Sequence, residues 1–189
     1  MSSFRSIQES LRHSYLVDIL TPYLEGYHSV LDLGAASGLL ANRLVDSIPG
    51  LSLVGVDVLV GSQPCVPMVV GNGKRLPFAG DAFDCVMMVD VLHHDENPQE
   101  LLAEAKRVSR GSVLVKDHYW QNRLDLVLLR WADYIGNRLY GIRLPYAFLN
   151  LASWRNLIVC TGMRVVRSAR FRFGALAPCK NIVFELRGQ

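Results

Sequence analysis

The chain has 189 residues, 50% hydrophobic and 20% charged, which excludes a disordered chain and suits a single globular domain with a sizeable core. No window offers the run of about eighteen apolar residues that a membrane span needs, and the first residues lack the apolar core of a secretory signal. Cys65, Cys85, Cys160 and Cys179 form no CxxC pair, so the expectation is a cytoplasmic protein with structural thiols and no metal site.

The formal charge of +3 is unevenly placed. Residues 1–105 carry 5 Lys/Arg against 13 Asp/Glu, and residues 106–189 carry 15 against 4. The basic second half is compatible with an anionic substrate, a nucleic acid or an anionic membrane surface.

Ser3 to Leu24 reads as a helix, with Ile7, Leu11, Tyr15, Leu16, Ile19, Leu20 and Tyr23 at three- and four-residue steps and with Pro22 and Gly26 as its stop. The next stretch, Ser29 to Leu40, has the pattern of a buried strand, a tight glycine turn and the start of a helix running to about Ser47. Gly34 and Gly38 bracket the turn, where a Cβ would obstruct the approach of a ligand to the backbone. Strand–turn–helix is a general nucleotide-binding device. Asp32, two residues before Gly34, would repel a pyrophosphate and attract an ammonium.

A second strand, Leu51 to Asp57, ends in an acid 19 residues beyond Gly38, the spacing at which a nucleotide-binding βαβ unit presents a carboxylate to ribose hydroxyls. Val66 to Val70 forms a short third strand leading into Gly71-Asn72-Gly73. Asp84 to Asp90 is a continuous apolar fourth strand, followed by Val91-Leu92-His93-His94. A helix opens at Asn97-Pro98 and runs from Gln99 to Ser109, with Gly111 as its cap. Ser112 to His118 is the fifth strand.

Tyr119 to Leu149 is too long for a simple connection. It holds an apolar helix around Arg123 to Ile135, then a loop, Gly136 to Tyr146, rich in aromatic and basic residues. A helix from Asn150 or Ser153 through Cys160 stops at Gly162. Strands Met163–Phe173 and Asn181–Leu186 then suit an antiparallel pair.

In sequence, Asp32-x-Gly34-x-Ala36-x-Gly38, Asp57, Asn72 and Leu92-His93-His94 resemble the motifs of the class I S-adenosyl-L-methionine-dependent methyltransferases. The Leu76-Pro77-Phe78 and Leu-His-His segments are similar to those of the branch acting on quinones, sterols and other small molecules. Two departures stand out: Ala36 replaces the middle glycine, and Asn72 replaces an acid.

The resemblance implies a doubly wound, Rossmann-like α/β fold. Its seven-stranded sheet is mostly parallel with an antiparallel last strand, in one domain over residues 1–189. Residues 1–26 would form a helix over the cofactor site, with His13 and Tyr15 as pocket candidates, and residues 119–149 a substrate lid. S-adenosyl-L-methionine would be the cofactor and S-adenosylhomocysteine the product. Asp32, Gly34, Ala35, Ala36 and Gly38 would hold the methionine end, Asp57 and Val58 the ribose side, and Asn72 and Gly73 the adenine. Asp90 and Val91 would flank the methyl group.

His93, His94 and His118 are the base candidates, with Asp117 as an orienting partner. On an extended turn, adjacent side chains point apart, so only one of His93 and His94 is expected to face the pocket. Trp120, Trp131, Tyr134, Tyr140, Tyr146 and Phe148, with Arg123, Arg130, Arg138 and Arg143, give the lid stacking surface and positive charge. They suit an aromatic or amphiphilic acceptor, or peripheral contact with a membrane.

The Asn/Asp-Pro-Pro-Tyr/Phe segment of amine-specific relatives does not follow the fourth strand. A Lys-Asp-Lys-Glu set is only partly imitated by Asp90, Lys116 and Glu185. These counts weigh against nucleic acid. The rival readings are an RNA methyltransferase and a non-catalytic methyltransferase-like partner subunit. Composition does not fix the oligomeric state.

Overall fold

A computed structural model describes residues 2–137, 145–174, 177 and 179–189. Helix α1 (Ser2–Leu24) leads into strand β1 (Ser29–Leu33), α2 (Leu39–Ser47), β2 (Ser52–Asp57), β3 (Met68–Val70) and β4 (Phe83–Val89). There follow a 3-10 turn (Leu92–His94), α3 (Pro98–Val108), β5 (Ser109–Trp120), α4 (Arg123–Asn137), the two-residue β6 (Leu149–Asn150), α5 (Leu151–Cys160), β7 (Met163–Phe171) and β8 (Asn181–Gly188).

The sheet runs β3-β2-β1-β4-β5-β8-β7, with β6 pairing off this path against the end of β5. Strands β1 to β5 pair in parallel, whereas β8 is antiparallel to both β5 and β7. This is the expected doubly wound sheet with an antiparallel last strand. Strand order reverses between β1 and β4, and in such sheets ligands bind where the carboxyl ends diverge. Asp32 in β1 lies level with Gly55 of β2 and Met87 of β4, so the ends of three strands open on one crevice.

Alternation along each strand feeds two cores. Leu31, Leu33, Val86 and Met88 pack with α3 and α5, around the buried Trp154 and Ile158. Val30, Cys85 and Met87 pack with Leu16, Leu20 and Leu24 of α1 and Leu40 and Leu44 of α2.

Several local expectations are corrected. Pro22 does not stop α1. It sits in the last turn, and the helix continues to Leu24 before Gly26 turns at φ 88°. Gly111 is no helix cap: α3 passes at Val108 directly into β5, and Gly111 lies within that strand, where a Cβ would come 2.9 Å from the Asp84 carbonyl. Not all the cysteines are structural thiols of the core, since Cys65 and Cys160 are exposed.

Part of the basic half is spent internally. Arg167 of β7 lies 3.7 Å over the Tyr23 ring, donates to the Pro22 carbonyl at 2.7 Å and pairs with Glu185, which also receives Arg187 at 3.1 Å. Glu185 therefore does not meet Lys116. Among the described residues no helix is long and apolar enough to cross a membrane.

Candidate active site

The loop after β1 alternates into the left-handed region at Gly34 (φ 85°), Ala36 (φ 50°) and Gly38 (φ 75°). The glycines are demanded by that backbone and by protein packing more than by ligand approach. A Cβ on Gly34 would lie 2.4 Å from a Val91 methyl, and one on Gly38 would lie 2.8 Å from a Val66 methyl. Ala36 adopts the same conformation with a Cβ, at a cost of about 1 kcal/mol. Ala36→Gly is therefore expected to raise stability by about 0.5–1 kcal/mol, a gain of a degree or more in Tm on a scanning calorimeter. A lower Tm would show that alanine is not strained there.

The Asp57 carboxylate closes this loop from the end of β2. One oxygen accepts from the Ala36 N–H at 2.8 Å and the other from the Leu59 N–H at 3.0 Å. Asp32 is buried behind the loop, and burial, followed by the nearby Asp57 charge, lifts its pKa to about 7. Val58 beside Asp57 is 60% exposed. Asn72 spends its side-chain carbonyl on the Lys74 N–H at 3.1 Å, and Gly73 turns at φ 74° against Leu101 and Leu33. Two acids around a concave backbone turn suit a ligand that donates, such as an ammonium and a vicinal diol, and not a phosphate.

Asp90 leaves β4 at φ 57°, left-handed for a non-glycine residue. Its carboxylate does not stand open to the crevice. One oxygen takes Lys116 Nζ at 2.6 Å and the other Arg12 of α1 at 2.5 Å, with His118 Nε2 at 3.4 Å. Lys116 is fully buried. Burial alone would raise the Asp90 pKa, but Lys116, His118 and Arg12 hold it well below the carboxylate range. Within the four-residue set, then, Asp90 and Lys116 do meet.

His93 and His94 do not point apart. They stand on a 3-10 turn rather than an extended one, with ring centroids 4.1 Å from each other. His93 Nδ1 lies 2.6 Å from Asp117 Oδ1, an oxygen that also accepts the His118 N–H at 2.6 Å. Phe148 stacks on the His93 ring at 4.9 Å, and Trp120 donates to the Phe148 carbonyl. The outer nitrogens of both His93 and His94 lie 3.9 Å from Asp133 Oδ1. His93, His94 and Asp133 thus bring one ligand atom each to within 4.8 Å of one another, a grouping that could hold a metal ion.

The three histidines differ electrostatically. Burial works against a charged His93, but Asp117 more than offsets it, and the pKa ends above the ordinary 6.5. Burial and the His93 charge lower His94. Burial drives His118 down to about 4 despite Asp90. His118 is thus a neutral ring at physiological pH, and His93, held above its ordinary pKa by Asp117, is the most basic of the three.

The remaining sequence candidates are dispersed. Tyr15 packs on Phe171 and Phe173 beside Lys116. Trp131 is 61% exposed and faces away from His93 with the outer side of α4. Arg138, Tyr140 and Arg143 lie outside the described residues.

Arg12 and Asp133 were not anticipated. Nothing in the local pattern marks Arg12. Asp133 was hidden by the pattern, because the apolar positions Leu124, Val127, Trp131 and Ile135 read as the core-facing side and set Asp133 toward solvent, whereas the helix presents them outward. Lys116 did carry a signal: a lysine directly after the apolar run Val113–Val115 must bring a partner.

Residues 31–115 match the family described as Methyltransferase domain. The demethylmenaquinone methyltransferase of Mycobacterium tuberculosis is 38% identical over 93 residues, covering 46% of this chain and 39% of its own length. That of Renibacterium salmoninarum is 32% identical over 94 residues, with the same shares. The chain thus spans about two fifths of the length of the curated relatives it matches. Among solved structures, Burkholderia thailandensis 1,6-didemethyltoxoflavin-N1-methyltransferase with bound S-adenosylhomocysteine superposes with a TM-score of 0.70 at 17% identity, over 100% of this chain and 86% of that one. At that identity the likeness is one of fold.

Proposed function

We propose that this chain, whose residues 31–115 match the methyltransferase-domain family, is a class I S-adenosyl-L-methionine-dependent methyltransferase that methylates an O, N or C atom of a small aromatic or amphiphilic molecule. The observation that carries the mechanism is the His93–Asp117 pair at 2.6 Å beside the switch-point crevice.

S-adenosyl-L-methionine supplies a methyl group already activated on a sulfonium centre. Asp32 and the turn from Gly34 through Ala35 and Ala36 to Gly38 would hold its methionine end. Asp57, with Val58 alongside, would take the ribose diol, and Asn72 and Gly73 the adenine edge. Val91 would border the methyl side. The residues fit such a ligand because Asp32 and Asp57 set two carboxyl groups around the one turn, with Asp57 tied to it through the Ala36 N–H.

On the acceptor side, Asp117 fixes His93 with Nδ1–H donating, which leaves Nε2 to take a proton from a phenol, enol or amine. Asp117 itself stays ionised, its carboxylate held low by His93 against the effect of burial. His94 and His118 shape the same wall, with His118 neutral. Residues 119–137 and 145–149, which carry Asp133 and Phe148 beside the imidazole, would act as the cover that the acceptor displaces. The N-terminal helix closes the other side through Arg12 on Asp90. Aromatic rings at Phe148 and Trp120 favour a flat or apolar acceptor. The two relatives' substrate, a demethylated menaquinone by their names, is of this chemical kind.

Asp57→Ala is expected to weaken S-adenosyl-L-methionine binding by about 10- to 100-fold, the worth of hydrogen bonds to a charged acceptor. Calorimetric titration of both proteins checks this. Unchanged affinity would remove Asp57 from the cofactor site, and no binding to the wild type would remove the function itself.

A further inference from the structure

Helix α4 is amphipathic in the wrong sense for a soluble surface. Its inner side carries the buried Leu129 together with two acids, Asp125 and Asp133. Asp125 is fixed there by Lys180 at 2.7 Å and by the Gln121 N–H at 2.9 Å. Its outer side presents Leu124, Val127, Trp131 and Ile135, which are 66%, 49%, 61% and 60% exposed. At 1.5 Å per residue this stripe is about 16 Å long. Scattered apolar residues on a surface need no explanation, but a stripe at helical spacing with an indole at its centre does.

The charges beside the stripe indicate what covers it. Arg123 and Arg130 are exposed along one margin, and Arg130 lies 5.9 Å from the Tyr146 ring. The only acids of the helix are the two that turn inward, so its outer side is apolar and cationic with no carboxylate of its own. A hydrophobic stripe with Trp and a margin of Arg matches a bilayer interface bearing anionic headgroups: the apolar side chains enter the acyl boundary and the guanidinium groups meet phosphate.

We propose that the outer face of α4 docks this protein on an anionic lipid surface. Docking there rests on α4 alone. If the catalytic reading also holds, it sets the His93–His94–Asp133 cluster, on the inner side of the same helix, next to lipid, and the acceptor is an amphiphile dissolved in the bilayer.

The test is co-sedimentation of the full chain with vesicles of phosphatidylcholine alone or with about 30% phosphatidylglycerol, without cofactor or acceptor. The wild type is expected in the pellet with anionic vesicles, with Trp emission shifted to shorter wavelength. The Leu124→Ser/Trp131→Ser/Ile135→Ser variant should lose at least about tenfold in partitioning while keeping its Tm, because its three sites are solvent-exposed. Arg123→Gln/Arg130→Gln should lose most of the preference for anionic vesicles.

Wild type left in the supernatant, or the triple variant pelleting equally, would overturn the proposal. So would a dimer seen by light scattering that the triple variant dissociates, which would give the face to a second copy. The vesicle readout involves no methyl transfer, so its failure and that of the catalytic reading are separable.

Discussion

Replacing His93 with Gln is expected to lower kcat for methyl transfer by about 10²- to 10⁴-fold while S-adenosyl-L-methionine affinity stays within a few-fold, the signature of losing a positioned general base. Glutamine roughly keeps the side-chain volume under Phe148 but removes a nitrogen that can take a proton. The pH profile carries the sharper signature. Asp117 raises the His93 pKa against the opposing effect of burial. The base must be neutral to act, so wild-type kcat rises with pH through an apparent pKa above 6.5 and falls away below it. In Asp117→Asn the largest attraction is gone, burial is opposed only by the weaker effects of Asp90 and Asp133, and the rising limb moves to lower pH. A limb that stays in place in Asp117→Asn, or a His93→Gln enzyme with wild-type kcat, would assign the pair a structural role.

Lys116→Met is the substitution expected to cost most stability, about 3–5 kcal/mol, because it removes one partner of a buried ion pair. Lys116 is fully buried and lies 2.6 Å from an Asp90 oxygen, while the other Asp90 oxygen depends on Arg12 at the surface. Removing the lysine leaves a carboxylate that burial penalises and that Arg12 and His118 balance only in part. In a chain of this size the loss corresponds to roughly 10 °C in Tm. Lys116→Met/Asp90→Asn removes both charges, keeps a residue tolerant of the left-handed backbone at position 90, and should recover part of the loss. Urea unfolding of the three proteins decides the matter: a single-variant cost below about 1 kcal/mol would mean that Arg12 alone suffices for Asp90.

Strands and helices were legible because their cues are local. Val30, Leu31 and Leu33 alternate between two apolar layers, Gly34 and Gly38 punctuate the turn, and Asn150 caps α5 through the Ser153 N–H as its residue type suggests. The residues proposed for the cofactor side lie on consecutive strand ends, whose order the pattern fixes. The acceptor side was legible only in part. His93 and Asp117 are 24 residues apart, and their pairing follows from β4 and β5 being neighbours. Arg12 and Asp90 are 78 residues apart on elements with no pairing rule between them. The joint orientation of His93 and His94 turns on a three-residue 3-10 turn, which a Leu-His-His tripeptide does not announce.

The place of β8 between β5 and β7 also has a consequence for synthesis on the ribosome. Every strand from β2 to β5 can find a neighbour as soon as it is made, but β7 can join the sheet only through a strand made after it. Until residues 181–188 leave the exit tunnel, β5 remains an open edge, with Lys116 and Asp117 on it. An unpaired edge is a template for wrong pairing, and translation adds about 5–20 residues per second. The nascent chain therefore carries the β8-facing edge of β5 unpaired through the synthesis of roughly seventy residues, an interval of several seconds in which a chaperone could protect it.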